Sequence, residues 1–409
     1  MNLRVCMMIY HYWPGPEGGT ERQCRRLTAA LSRRGVACTV LTTRPGRDVP
    51  ARESDGGVRI VRLPSLEGFR RRPAAVEGSA TTLATASRPP ARAARLAAAG
   101  VAWFNALLYQ AGSAFFLLRH ARDFDLIHVH TSEWIAGFAV WLGRRLRRPV
   151  LCKVATLPAL PAATKRVPFG RAWDRRRRQA EFVSLNEAMA AELRAAGVPE
   201  QRVRVIPNSV ELPDLSCRRE DADLVLFVGN LTQHEWKAFD VLFDAWALVH
   251  AERPSARLAV FGGGDPAPWE RYLEARGCRA SVSFEGFVRD VNAGYARAAV
   301  LALPSRQEGM SNALLEAQSW GVPAVVSDIP ANRAVVSDGE NGLVVPVNDA
   351  GSLTVSLLRL LRDAGLRAVL GAAARRAVER RFGVELVAEL TLATYATMLH
   401  AEAEPARVG

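Results

Sequence analysis

Lysine is nearly absent: Lys153, Lys165 and Lys237 are the only three among 54 basic residues, so almost every cation is an arginine. The six cysteines (Cys6, Cys24, Cys38, Cys152, Cys217 and Cys278) contain no CxxC pair. That spacing excludes a zinc ribbon or dithiol redox site and predicts buried free thiols. Low-complexity tracts are missing too, since Gly and Pro are spread along the chain. The apolar run after Arg4 is short and ends in "HYWPGPEGG". It lacks the longer apolar region and cleavage site of a signal peptide and reads as the first strand of a cytoplasmic protein.

With 409 residues, 49% of them hydrophobic, the chain can bury two ordinary cores. Charge is shared unevenly. Residues 1–213 carry 34 Lys+Arg against 16 Asp+Glu, a net +18, and the remainder carries 20 against 25, a net −5. The basic half suits an anionic surface such as phospholipid headgroups or nucleic acid.

Short β-branched runs alternate with helical patterns throughout, the signature of βαβ units and parallel sheets. Strands are expected at "RVCMMIY", "ACTVLTT", "VRIVRL", "DLIHVH", "PVLCKVA", "EFVSL" and "VRVIPN". A second set follows at "LVLFVGN", "RLAVFGG", "SVSFEG", "VLALPS", "PAVVSD" and "NGLVVP". The Pro-rich, polar segment "IPNSVELPDLSCRREDAD" between the sets reads as a linker. The expected fold is therefore α/β: two Rossmann-like, doubly wound domains facing a cleft. They span residues 1–208 and 209–382, and a final helix in 383–409 packs back toward the first. An arginine-rich insert, "EGFRRRPAAVEGSATTLATASRPPARAAR", precedes 23 uncharged residues from Leu96 to Leu118. That length could span a bilayer. Asn105, Gln110, Ser113 and two glycines interrupt the stretch, which predicts a buried or surface-docking helix.

In "PGPEGGTER", Gly18 and Gly19 suit a tight loop, and Thr20 is expected to cap a helix whose first amides could take an anion. His128 and His130 in "DLIHVH" point to the same side of a strand, and His130 stands at its carboxyl end, where open parallel sheets bind ligands. Lys237, just before a helix, can neutralise phosphate charge. In "SRQEGMSNALLEAQSWG", Glu308 falls in the loop after a strand, Ser311 or Asn312 caps the following helix, Gly321 ends it, and Glu316 lies in its second turn. A carboxylate on each side of a helix start suits a ligand with hydroxyls at both ends and a diphosphate in the middle, the layout of a nucleotide sugar.

With these residues in view, the chain resembles the retaining glycosyltransferases of family 4, which have the two-Rossmann glycosyltransferase B (GT-B) fold. The likeness runs through "GGTER", "DLIHVH", "VIPNSV", "FVGN" with Lys237, "EGMSNALLE", "GVPAVVSD" and "ENGLVVP". It implies that Glu308 contacts the transferred sugar, Glu316 the ribose hydroxyls, and Gly309, Met310, Ser311 and Asn312 the sugar and phosphate. By the same likeness Lys237 binds the diphosphate, Gly19 approaches phosphate or acceptor, and His130 lies near the sugar. Asn230 stands where the family usually has an arginine, which leaves Lys237 without its usual cationic partner unless Arg306 or another arginine substitutes. Met310 replaces a common phenylalanine. The implied activity is transfer of a sugar, with retention, from a nucleoside-diphosphate sugar to a lipid-linked or glycan acceptor, by a protein peripheral to the inner membrane face. No cofactor and no nucleic-acid partner is expected. No metal is expected either, because the pairs Asp123/Asp125 and Asp221/Asp223 precede strands and so lie on the edge away from the ligand. The alternatives are a sugar-nucleotide epimerase of the same fold and a catalytically silent relative.

Overall fold

The computed structural model describes residues 3–14, 18–66, 92–155, 159 and 167–403. The arginine-rich insert and Lys165 lie outside the described residues. Two compact units are present. Among the described residues, the first takes in those up to Ser209 and from Val384 onward, and the second takes in Val210–Gly383.

The first unit is built on β1 (Arg4–Met8), β2 (Ala37–Thr43), β3 (Arg52–Asp55), β4 (Val58–Leu63), β5 (Leu126–Val129), β6 (Val150–Lys153), β7 (Glu181–Ser184) and β8 (Val203–Val205). Their order in the sheet is β3-β4-β2-β1-β5-β6-β7-β8, parallel except for β3. β3 has no counterpart in the expected set. Its sequence, "RESD", has no β-branched residue, and it forms only as the antiparallel edge paired with β4. One face of the sheet buries Val5, Met7, Leu126, Leu151 and Val183 against Cys24 and Leu27 of helix Gly19–Arg33 and Val387, Ala388 and Tyr395 of helix Val384–Ala403.

Helix Arg92–Arg119 is long and apolar enough to cross a membrane by length and composition. The polar residues that interrupt it face inward. Asn105 Oδ1 accepts from Leu66 N at 2.7 Å, and Gln110 accepts from Trp173 Nε1 at 3.2 Å. Val101, Phe104, Phe115 and Leu118 are exposed.

The second sheet comprises β9 (Asp221–Val228), β10 (Arg257–Phe261), β11 (Val282–Gly286), β12 (Ala298–Leu303), β13 (Ala324–Ser327) and β14 (Leu343–Val345). It is wholly parallel, in the order β11-β10-β9-β12-β13-β14. Its strands are apolar because helices cover them, with Phe243, Trp246, Leu353 and Leu357 fully buried in one core. Asp349 Oδ1 accepts from Ser352 N at 2.8 Å, which satisfies an amide left open at the start of helix Ala350–Arg362.

Three expectations need correction. Thr20 is inside helix Gly19–Arg33; the cap is Gly18, whose N donates to Glu21 Oε2 at 2.8 Å. Five cysteines are buried, but Cys217 is exposed, because it falls in the polar segment joining the sheets. Asp221 and Asp223 begin β9 and do not precede it. They are ion-paired to Arg257 and Arg253, as Asp125 is to Arg4, at amino ends of strands.

Candidate active site

In the second unit, β9 runs out at Val228 into a polar loop. Asn230 Oδ1 accepts from Thr232 N at 2.9 Å and Thr232 Oγ1 at 2.8 Å, closing a turn at Leu231–Gln233. A one-turn helix, His234–Lys237, follows and is ended by Ala238 in the left-handed region, φ 53°. The loop after β10 lies directly on this one. A Cβ on Gly262 would meet Gly229 O at 1.9 Å, so only glycine fits there.

The loop after β12 brings the partner of Lys237. Its Nζ donates to Glu308 Oε1 at 2.6 Å, and Ser305 Oγ donates to the same oxygen at 2.8 Å. Both charged side chains are nearly covered, at 13% and 11% exposure. Ser305 O in turn accepts from Ser327 Oγ, and Ser327 O from Asn332 Nδ2 at 2.9 Å, so the glutamate is oriented from three successive loop ends.

Arg306 brackets the two loops. Its N donates to Trp236 O at 2.7 Å, its Nη2 to Asp240 Oδ2 at 2.6 Å and its Nε to Asn348 Oδ1 at 2.6 Å. This guanidinium ties Lys237's turn to the loop after β12, donating also from Nη1 to Glu235 O at 3.1 Å.

Gly309 is half-buried and Met310 buried in the approach to helix Asn312–Ser319. Ser311 caps that helix, its Oγ accepting from Leu314 N at 3.4 Å, and Gly321, at φ 67°, follows its end. Glu316 lies in the second turn, 7% exposed, with Oε2 accepting from Tyr295 OH at 3.1 Å. Lys237, Glu308, Glu316 and the start of this helix therefore belong to one carboxyl edge, with two carboxylates flanking a helix N-terminus whose dipole favours negative charge.

Gly19 and His130 belong to the first unit. Gly19 opens helix Gly19–Arg33. His130 follows β5, its N donating to Met8 O at 3.0 Å, and its ring stacks on His128 with centroids 4.5 Å apart. His128 Nδ1 is 2.6 Å from Tyr395 OH in the final helix. Burial, with Lys153 nearby, pulls the His128 pKa down to about 3, and burial, His128 and Lys153 hold His130 well below its ordinary value. Both rings are thus neutral at physiological pH.

Sequence reasoning missed Ser305, Tyr295 and the Arg306 bracket. Ser305 had a local signal, standing three residues before Glu308 in the same loop. Tyr295 had none, because it reaches Glu316 from another element.

Two family models match the chain: "Glycosyl transferase 4-like domain" over residues 18–209 and "Glycosyl transferases group 1" over residues 222–363. Phosphatidyl-myo-inositol mannosyltransferase of Mycobacterium leprae is 30% identical over 287 residues, covering 68% of this chain and 74% of the relative. D-inositol 3-phosphate glycosyltransferase of Xylanimonas cellulosilytica is 28% identical over 440 residues, 96% of each protein. Among solved structures, sucrose-phosphate synthase from Thermosynechococcus elongatus superposes with TM-score 0.72 at 20% identity, over 98% of this chain and all of the other. HepE of Anabaena, in complex with UDP-glucose, gives TM-score 0.70 at 16% identity over 97% of this chain and all of the other. The fold is GT-B, and the chain belongs to the group 1, family 4-type glycosyltransferases.

Proposed function

We propose that the protein transfers a sugar, with retention at the anomeric carbon, from a nucleoside-diphosphate sugar to a lipid-linked or glycan acceptor. The observation that carries this reading is the Lys237–Glu308 pair at 2.6 Å, on the same sheet edge as Glu316. Glu308 would meet the transferred sugar, and Glu316 would accept from the ribose hydroxyls. As the diphosphate leaves, Lys237 and the start of helix Asn312–Ser319 would stabilise its charge, with the loop from Gly309 to Asn312 cradling it. Asn230, engaged in its own turn, would border the diphosphate without adding charge. The first unit, with Gly19 and His130, would take the acceptor.

HepE was solved with UDP-glucose, and the mannosyltransferase relative is named for a phosphatidyl-inositol acceptor. Both support a nucleotide-sugar donor and a lipid-type acceptor here. The matched families and relatives are transferases, so the epimerase reading is not carried forward. The basic first half and the exposed Val101, Phe104, Phe115 and Leu118 support peripheral association with an anionic bilayer.

A thermal-shift panel of UDP, GDP and ADP sugars tests the donor. The matching donor at about 100 times its dissociation constant should stabilise the protein by roughly 2.7 kcal/mol. No response to any nucleotide sugar would count against the reading.

A further inference from the structure

Lys153 ends β6, whose pairing with β5 sets His128 opposite Leu151 and Val129 opposite Cys152. The next step of that register brings His130 beside Lys153, on the face covered by helices Gly19–Arg33 and Val384–Ala403. Both side chains are more than nine-tenths buried, Lys153 being 6% and His130 1% exposed. Among the described residues, neither ring nitrogen of His130 has a hydrogen-bond partner and Lys153 makes no hydrogen bond and no ion pair.

Among the described residues, the titratable groups that act on the ammonium or feel it are Cys24, His128 and His130, and all three are neutral. Burial pushes the Cys24 thiol up and keeps His128 and His130 uncharged. Burial also lowers Lys153, to about 8, which leaves it mostly protonated at pH 7. A buried cation with no counter-ion is costly, and a group so perturbed at a ligand-binding edge is a candidate for holding a charge of opposite sign. The site lies at the carboxyl edge of a parallel sheet, where such folds bind ligands. Cys24, in the second turn of helix Gly19–Arg33, acts on Lys153, so the positive end of that helix is close by.

We propose that Lys153 and His130 form a receiving site for a phosphate group on the acceptor. The ammonium and the imidazole N–H offer several donors to one group with several acceptor oxygens, which favours phosphate. This rests on the transferase reading, in which the first unit takes the acceptor. Lys153 lies outside the sequence stretches that carry the family likeness.

The test is the imidazole NMR spectrum of the full-length protein, with the His130 signal assigned by His130→Gln. Two arms separate the phosphate sources: inorganic phosphate for a soluble monoester, and phosphatidylglycerol vesicles for a lipid phosphodiester. In at least one arm His130 should shift saturably in the wild type and in Lys237→Met. The shift should need at least tenfold more ligand in Lys153→Met, and Lys153→Arg should restore it to within a few-fold. Lys153→Met should fold at least as well as the wild type, since it removes a lone buried charge while keeping the volume. A nucleotide sugar should still stabilise Lys153→Met, which separates this outcome from failure of the transferase reading. The absence of any Lys153-dependent shift in both arms, or the failure of both Lys153 variants to fold, would overturn the proposal.

Discussion

Lys237 in the second unit and Lys153 in the first both stand at the carboxyl edge of a parallel sheet, but among the described residues only Lys237 is paired with a carboxylate. Its ammonium lies 2.6 Å from Glu308, which Ser305 also holds, so the pair is self-neutral without a ligand. Among the described residues, Lys153 has two neutral histidines and a thiol around it. The difference shows two ways of preparing for a negative ligand. A paired cation can exchange its partner as a diphosphate arrives, whereas an unpaired one lowers stability until an anion enters.

The most forceful way to break this comparison is to remove the paired cation. Lys237→Met should lower kcat by about 10²–10³-fold, the scale of losing one group that stabilises developing charge, with a smaller effect on donor affinity. Steady-state kinetics against donor concentration checks this, and a loss confined to affinity would contradict it.

Acid sharpens the comparison from the other side. His128 and His130 have pKa values below those of the unfolded chain, so the unfolded state binds more protons below about pH 6.5. Stability should therefore be lost as pH falls from there toward about 3, the His128 value, by roughly 1.4 kcal/mol per pH unit for each histidine. Urea titrations of the wild type and His128→Gln at pH 7 and 5 would show this, the variant losing less. Equal losses would remove the buried neutral ring from the account.

The smallest expected effect is none. Turnover should survive EDTA, because Asp125, Asp221 and Asp223 are ion-paired at strand amino ends, the wrong edge for the donor. Loss of turnover that Mg²⁺ or Mn²⁺ restores would overturn a mechanism in which Lys237 and helix starts supply the positive potential.

The strands were legible because each fully covered parallel strand is a continuous apolar run, as in "LVLFV" and "AVLAL". β3 was not, because "RESD" becomes a strand only through its pairing with β4. Glu308, Glu316 and Lys237 were legible from their places relative to a strand end and a helix start. The groups that orient them were less so: Tyr295 comes from another element, and Arg306 ties three segments far apart in sequence. Lys153 stood out in the sequence only as a rare lysine. Its meaning depends on the β5–β6 register, which a strand pattern alone does not fix.

In the proposed function, Glu316 is the ribose-binding carboxylate of a nucleotide-sugar site. Isothermal titration of the wild type and Glu316→Ala with the sugar nucleotide that stabilises the wild type would measure it. Binding should be weaker by about 1.5–3 kcal/mol, or roughly 10- to 150-fold, for the charge-assisted hydrogen bonds lost. Equal affinity in the two proteins would contradict it.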